Sequence, residues 1–91
     1  PIIIMTPTHR LNELNPKGDK TIEFAPLKKY VEIIREIAEF YSLPVLDLFA
    51  YSGMQPAINE VKEKYMPDGL HPNAEGYKVI AEKVAAFIRA M

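Results

Sequence analysis

The first half of the chain alternates between continuous apolar runs and apolar residues at helical spacing. Residues 2–5 form an uninterrupted, mostly β-branched run, which is typical of a parallel strand covered on both faces. Residues 6–25 are polar and irregular and predict a long loop, a kind of segment that often has a function. A second apolar run at residues 45–49 predicts a second short strand.

An amphipathic helix is predicted between the two strands. Pro26 suits a first helical turn, where its missing N–H costs nothing. Apolar residues then recur every three or four positions up to Tyr41, and Ser42 and Pro44 end the helix. The predicted inward face contains Leu27, Tyr30, Val31, Ile34, Ile37, Ala38 and Tyr41. The segment therefore predicts a strand, a helix and a strand in that order.

The second half of the chain is predicted to be helical, with loops between the helices. Residues 50–56 indicate a loop and residues 57–65 a short helix. Asn73 is a suitable N-cap for a last helix ending near Arg89, with Glu75 favourably placed in its first turn. Its predicted inward face is Tyr77, Ile80, Ala81, Val84, Phe87 and Ile88. This alternation of strands and helices favours an α/β fold.

Composition narrows the possible functions. The 91 residues include 11 Lys and Arg against 12 Asp and Glu, so the net charge is −1 and nothing attracts nucleic acid or an anionic membrane. No apolar stretch approaches the about 18 residues needed to span a bilayer. The absence of cysteine excludes disulfides, cysteine-based zinc sites and thiol nucleophiles in this sequence, and it leaves the cellular compartment open.

Asp68 and His71 form the strongest candidate for chemistry. A carboxylate three residues before a histidine can accept the imidazole N–H and fix its tautomer, leaving the other nitrogen as a base. Gly69 permits an unusual backbone turn, and Pro72 stiffens the exit from it. Taken alone, an Asp-x-x-His pair before a helix is more often a hydrogen bond that stabilises a turn than a catalytic pair.

The string Met-Pro-Asp-Gly-Leu-His-Pro-Asn-Ala-Glu-Gly-Tyr at residues 66–77, followed by an amphipathic helix, resembles the last motif of the SGNH (GDSL-type) esterase and lipase family. The order of the preceding elements resembles that family too. The resemblance implies a flavodoxin-like three-layer α/β/α fold with a parallel sheet. It also implies a Ser-His-Asp triad in which the catalytic residues include His71, as general base, and Asp68, as its partner. No cofactor is implied.

The other catalytic blocks of that family are missing from these residues. The family's nucleophile lies in a Gly-Asp-Ser block, and its oxyanion donors are a Gly and the Asn of a Gly-x-Asn-Asp block; neither block occurs here. Ser42 is better explained as a helix terminator, and Ser52 lacks the sharp turn that exposes a nucleophile. We therefore expect residues 1–91 to be the C-terminal portion of a single SGNH hydrolase domain, inactive by itself, with the nucleophile upstream.

Two further residues are predicted to line the substrate cleft. His9 and Arg10 follow the first strand, so we expect them at the rim in contact with substrate; the alternative is a loop anchor satisfied by backbone carbonyls. Asp47 is expected to cap loop N–H groups at the end of the second strand. A metal site formed by His9, His71 and an acid is not favoured. The expected substrate is a small-molecule ester, such as an acylated carbohydrate or a lipid.

Two other classes of function remain open from sequence. Pro1 before an apolar strand resembles the tautomerase superfamily, in which the amine of an N-terminal proline is the general base. The third class is a non-catalytic interaction module. In that case the sheet edge formed by residues 2–5 would pair with another copy of the chain and give a homo-oligomer, or pair with an absent part of the sheet.

Overall fold

The computed structural model describes residues 2–14 and 26–91, and its strands and helices follow the predicted order. The elements are β1 (Ile4–Thr6), α1 (Leu27–Phe40), β2 (Val45–Asp47), α2 (Leu48–Tyr51), α3 (Asn59–Tyr65) and α4 (Ala74–Ala90). The α/β class predicted from the hydrophobic pattern is confirmed. The predicted loop at residues 15–25 lies outside the described residues.

The two strands pair in parallel, with Ile4 opposite Val45 and Thr6 opposite Asp47. The strand predicted at residues 2–5 begins two residues later and ends at Thr6; the N–H of Ile4 donates to Pro44 O at 3.0 Å, next to the first residue of β2. The prediction that this run is buried on both faces is wrong for the described residues. Thr6 is buried, but Ile2 and Met5 are largely exposed.

Helix α1 packs on β1 through a narrower stripe than its sequence predicts. Val31 and Ala38 are fully buried, whereas the predicted inward residues Tyr30, Ile37 and Tyr41 are exposed. The reason is that the two-stranded sheet of the described residues covers only part of the helix face. Pro26 immediately precedes the helix instead of occupying its first turn.

Helix α2 differs from the prediction, because the hydrophobic pattern places its residues at the end of a strand and in a loop. The strand predicted at residues 45–49 stops at Asp47, because the Asp47 carboxylate accepts a hydrogen bond from Ala50 N at 3.1 Å and caps a helical turn. Phe49 N donates to Thr6 Oγ1 at 3.0 Å, which joins this turn to the end of β1. The capping role predicted for Asp47 is confirmed.

Helices α3 and α4 pack against each other at the ends that flank the 66–73 loop. Gly76 in the first turn of α4 allows this approach, since a Cβ there would lie 2.7 Å from Tyr65 O. Beyond this contact α4 is only partly covered, so Tyr77 and Ile88, predicted to face inward, are more than half exposed.

The apolar core lies between the sheet, α1 and the loops around α3. Its buried apolar members among the described residues are Val31, Ala38, Leu48, Met54 and Met66. None of the helices in residues 2–14 and 26–91 is long and apolar enough to cross a membrane.

Candidate active site

The loop between α3 and α4 folds Asp68 and His71 into a tight turn. Gly69 N donates to Met66 O at 2.8 Å, and Gly69 has φ of +75°, in the left-handed region that favours glycine. The backbone freedom predicted for Gly69 is therefore used. The turn returns the Asp68 carboxylate toward the residues that follow it.

Both oxygens of the Asp68 carboxylate are occupied by this turn. Oδ1 accepts from the backbone N–H groups of Leu70, at 2.8 Å, and His71, at 2.7 Å. Oδ2 lies 2.7 Å from Nδ1 of the His71 ring. The backbone N–H of His71, then its ring and the N–H of Leu70, all favour the ionised carboxylate, so they hold the pKa of Asp68 well below its ordinary range.

The other side of the His71 ring is open. The His71 side chain is 72% exposed and that of Asp68 is 54% exposed. Nε2 of His71 makes no hydrogen bond to any residue within 2–14 or 26–91. An imidazole held through Nδ1 by an ionised carboxylate keeps Nε2 available as a base, which is the arrangement that acid–base catalysis by histidine requires.

Asn73 fixes the loop on its far side. Its Oδ1 accepts from Gly76 N at 2.9 Å, which confirms the predicted N-cap of α4. Its Nδ2 donates to Lys64 O at 2.9 Å and its backbone N donates to Tyr65 O at 2.8 Å. One side chain therefore joins the start of α4 to the end of α3 and anchors the loop between them.

The loop that follows β1 also touches the Asp68–His71 turn. Leu11 N donates to Gly69 O at 2.8 Å. The Leu11 side chain occupies the space beside Gly69, where a Cβ would lie 2.6 Å from Leu11 Cγ. Nothing in the sequence pattern indicated this contact, which joins residues far apart in the chain.

His9 lies in the same loop, but its ring is held on two sides. Nδ1 lies 2.7 Å from Glu13 Oε2, and the ring stacks on Phe49 with centroids 3.7 Å apart. The side chains of His9 and Glu13 are only 20% and 22% exposed. Of the two predicted roles, this geometry fits a loop anchor; its partner is a carboxylate, where backbone carbonyls were predicted.

Arg10 borders an open groove of ≈ 490 Å³ beside this loop. Its Nε donates to Leu11 O at 3.3 Å. Among the described residues the groove is lined by Arg10, Leu11, Asn12, Glu13, Leu14, Gln55 and Ala57. Leu11 belongs both to this lining and to the contact with Gly69, so the groove adjoins the turn that holds His71.

A second carboxylate, Asp47, binds three parts of the chain at the ends of the strands. Thr6 Oγ1 donates to Oδ1 at 2.8 Å, and Arg35 Nε donates to Oδ2 at 2.9 Å. Burial acts to raise the pKa of Asp47, but the hydrogen bonds from Thr6, Ala50 and Arg35, with the Arg35 charge, outweigh it and lower the pKa. The predicted position of Asp47 within the second strand indicated a capping role, but nothing in the sequence pattern indicated its contacts with Thr6 and Arg35.

Neither serine of the sequence lies at a strand-to-helix turn, the position from which a nucleophilic serine is exposed. Ser52 is buried and its Oγ accepts from Met54 N at 3.1 Å, while Ser42 follows α1 with a positive φ of 57°. Among residues 2–14 and 26–91, no group of three His, Asp or Glu side chains is placed to hold a metal ion.

Comparison with known proteins assigns the chain to a family. Residues 1–79 match the model of the GDSL-like lipase/acylhydrolase family. The chain belongs to this family. It is 33% identical over 88 residues to an acetylxylan esterase of Xylanibacter ruminicola, an alignment covering 97% of this chain and 16% of that protein. A crystal structure with 34% identity superposes with a TM-score of 0.80, covering 98% of this chain and 42% of that one.

Family membership confirms the resemblance inferred from residues 66–77, and the structural neighbour fits a partial SGNH hydrolase fold. The family is one of lipases and acylhydrolases. The chain spans about a sixth of the curated relative and less than half of the structural neighbour. The tautomerase hypothesis depends on Pro1, which lies outside the described residues; the family match includes that position and favours the ester hydrolase.

Proposed function

We propose that this chain carries the general base of a serine ester hydrolase. The observation that carries the proposal is the 2.7 Å contact between Asp68 Oδ2 and His71 Nδ1 in a turn that leaves the ring exposed. Asp68 fixes the Nδ1–H tautomer and stabilises the imidazolium that forms during the reaction. Nε2 then faces outward as the proton acceptor.

The reaction needs a serine hydroxyl that residues 1–91 do not supply. As the serine oxygen attacks the ester carbonyl, its proton passes to Nε2 of His71, and the same proton then goes to the departing alcohol. Water repeats these two steps and releases the acid from the acyl-serine. We place residues 1–91 in the C-terminal portion of a single domain whose preceding part provides the serine and the oxyanion donors.

An acetylated carbohydrate is the substrate class that we propose. The support is the 33% identity to a protein named acetylxylan esterase. The groove next to the Asp68–His71 turn combines hydrogen-bonding groups of Arg10, Asn12 and Gln55 with an apolar wall, a combination that a sugar carrying an acetyl group can occupy. Arg10 is the residue that we expect to contact the sugar, whereas His9 acts by anchoring the loop.

The test compares the whole protein containing this chain with its His71→Ala variant. Both are assayed with p-nitrophenyl acetate and with acetylated xylo-oligosaccharides, and folding of the variant is checked by circular dichroism. We expect hydrolysis by the parent protein and loss of at least a hundredfold in kcat in the variant. Hydrolysis that persists in folded His71→Ala protein contradicts the assignment of the base.

A second measurement tests the domain assignment. The 91-residue chain alone should not hydrolyse p-nitrophenyl acetate faster than its own His71→Ala variant, because it has no activated serine. Turnover by this chain that depends on both His71 and one of its two serines would contradict the placement of the nucleophile outside it.

A further inference from the structure

Leu11 contacts the Asp68–His71 turn at a position where the turn has no side chain of its own. Gly69 is buried and has no Cβ, and Leu11 fills the space beside it while Leu11 N binds Gly69 O. Gly69 O, which Leu11 binds, belongs to the same peptide group as the N–H of Leu70. That N–H is one of the donors to Asp68 Oδ1. Movement of Leu11 would therefore act on the backbone that sets the distance between Asp68 and His71.

The segment carrying Leu11 is fixed independently of that turn. His9 is stacked on Phe49 and bound by Glu13, and the backbone O of Glu13 accepts from Leu27 N at 2.8 Å at the start of α1. Glu13 Oε2 also accepts from Arg10 N at 3.3 Å. Leu11 therefore lies between neighbours that are bound to Phe49 and to α1, and it supports the Gly69 backbone from that position.

From these contacts we propose that Leu11 is a positioning residue for His71, held in place by the His9–Glu13 pair. This proposal rests on the proposed function of His71 as a base. Leu11 holds the Gly69 peptide so that the Asp68 carboxylate stays on Nδ1 and Nε2 keeps one direction. It does not itself take part in proton transfer.

The first experiment measures kcat and KM for acetyl ester hydrolysis by the whole protein with Leu11→Ala, Leu11→Met or Ile37→Ala. Ile37 is a half-exposed residue of α1 and serves as the control for removing an apolar side chain elsewhere. We expect Leu11→Ala to lower kcat about ten- to a hundredfold with little change in KM, because a small displacement of an acid–base group is costly. Leu11→Met should recover most of the loss, and Ile37→Ala should match the parent.

The kcat and KM values separate positioning from a role in the groove. If Leu11 served only as groove wall, Leu11→Ala would raise KM and leave kcat unchanged, and the proposal would be overturned. The same holds if Leu11→Ala matches Ile37→Ala in both parameters.

A double-mutant cycle tests the contact with Gly69 itself. Gly69→Ala should lower kcat strongly in the parent protein, because the new Cβ meets the Leu11 side chain and the positive φ is unfavourable. In the Leu11→Ala background the same substitution should cost severalfold less, because the space has been opened. Equal losses in both backgrounds would show that the two residues are not coupled.

A spectroscopic measurement keeps the proposal separate from the proposed function. The ¹⁵N chemical shifts of the His71 ring report whether Nδ1 still binds Asp68, whether or not the protein hydrolyses esters. We expect Leu11→Ala to shift these resonances toward those of Asp68→Asn, and Ile37→Ala to leave them in place. Unchanged resonances in Leu11→Ala overturn the positioning role. If His71→Ala retains activity, the proposed function fails, and the ring resonances still test the role of Leu11.

Discussion

Two histidine–carboxylate pairs in this molecule share one distance but differ in their surroundings. Nδ1 lies 2.7 Å from a carboxylate oxygen both in His71–Asp68 and in His9–Glu13. The His9 ring is packed on Phe49 and mostly covered, whereas the His71 ring is largely exposed. A short contact therefore does not by itself indicate what a pair does; what differs between the two pairs is whether the ring can reach a reactant.

The two pairs also differ in how the carboxylate is built into the chain. Asp68 binds two backbone N–H groups of its own turn and so presents Oδ2 to His71 in a fixed direction. Glu13 uses both oxygens on the His9 ring and closes a loop. We infer that Asp68 orients His71 as a base and that the His9–Glu13 pair holds the loop that carries Leu11. Leu11 contacts Gly69 and so joins this loop to the Asp68–His71 turn.

The largest expected effect separates the two histidines by activity. In the whole protein, His71→Ala should lower kcat for acetyl ester hydrolysis about 10³- to 10⁴-fold, because the proton acceptor is removed. His9→Ala should lower kcat no more than about tenfold, because it loosens the loop that carries Leu11 and leaves His71 in place. Steady-state kinetics with p-nitrophenyl acetate makes the comparison, and equal losses in the two variants would remove the distinction between the pairs.

The next effect separates the two carboxylates. Asp68→Asn preserves an acceptor for the backbone N–H groups but places an amide donor against Nδ1, which favours the Nε2–H tautomer, and we expect kcat to fall about a hundredfold or more. The matched variant Glu13→Gln makes the same change in the other pair and should remain close to His9→Ala in kcat. An Asp68→Asn enzyme with parent-like kcat would show that the tautomer is not set by Asp68.

Stability should show the opposite ranking. His9→Ala removes a covered ring that stacks on Phe49, so we expect its free energy of unfolding to fall by about 1 kcal/mol. His71→Ala removes an exposed ring and should unfold at the same denaturant concentration as the parent. Urea titration followed by circular dichroism provides both values. A larger loss in His71→Ala would indicate that the exposed pair is structural.

The smallest effect concerns Asp47, a carboxylate that joins Thr6, Arg35 and Ala50. Its lowered pKa means that it stabilises the fold above the unfolded value of about 3.9, and that this contribution is lost as the pH falls toward the pKa of the folded protein. Asp47→Asn should therefore be less stable than the parent at neutral pH, by an amount that shrinks below about pH 4. Urea titrations of both proteins at neutral pH and below about pH 4 measure this difference in the free energy of unfolding. A difference that does not change with pH would contradict the role of the charge.

Residues close in sequence made most of the site predictable. Asp68, Gly69 and His71 meet within one turn, and Asn73 caps the helix that follows, so spacing and residue type were sufficient to predict these contacts, while the catalytic interpretation came from the resemblance of residues 66–77 to a family motif. The contacts of Leu11 with Gly69 and of Arg35 with Asp47 depend on the packing of distant segments, and no local pattern encodes them. Helix α2 was not predicted for a related reason. The Asp47 carboxylate that caps its first turn also binds Thr6 on the other strand.

Exposure was the least predictable property. Helical spacing identified the apolar faces of α1 and α4, but it does not specify how much of each face another element covers. Tyr30 and Ile37 lie on the predicted face of α1 and remain exposed because the described sheet that α1 packs on has two strands, and Tyr77 lies on the predicted face of α4 beyond the contact with α3. For the same reason, the alternation of elements predicted the α/β class better than it predicted the core.

The central claim is that Asp68 holds the Nδ1–H of His71 and leaves Nε2 as the base. Two-dimensional ¹H–¹⁵N spectra of the ring nitrogens, recorded on the whole protein with His71 assigned by its absence from His71→Ala, test this directly. We predict that the neutral ring of His71 carries its proton on Nδ1 in the parent protein and loses that preference in Asp68→Asn. A neutral His71 ring protonated on Nε2 in the parent protein would contradict the account.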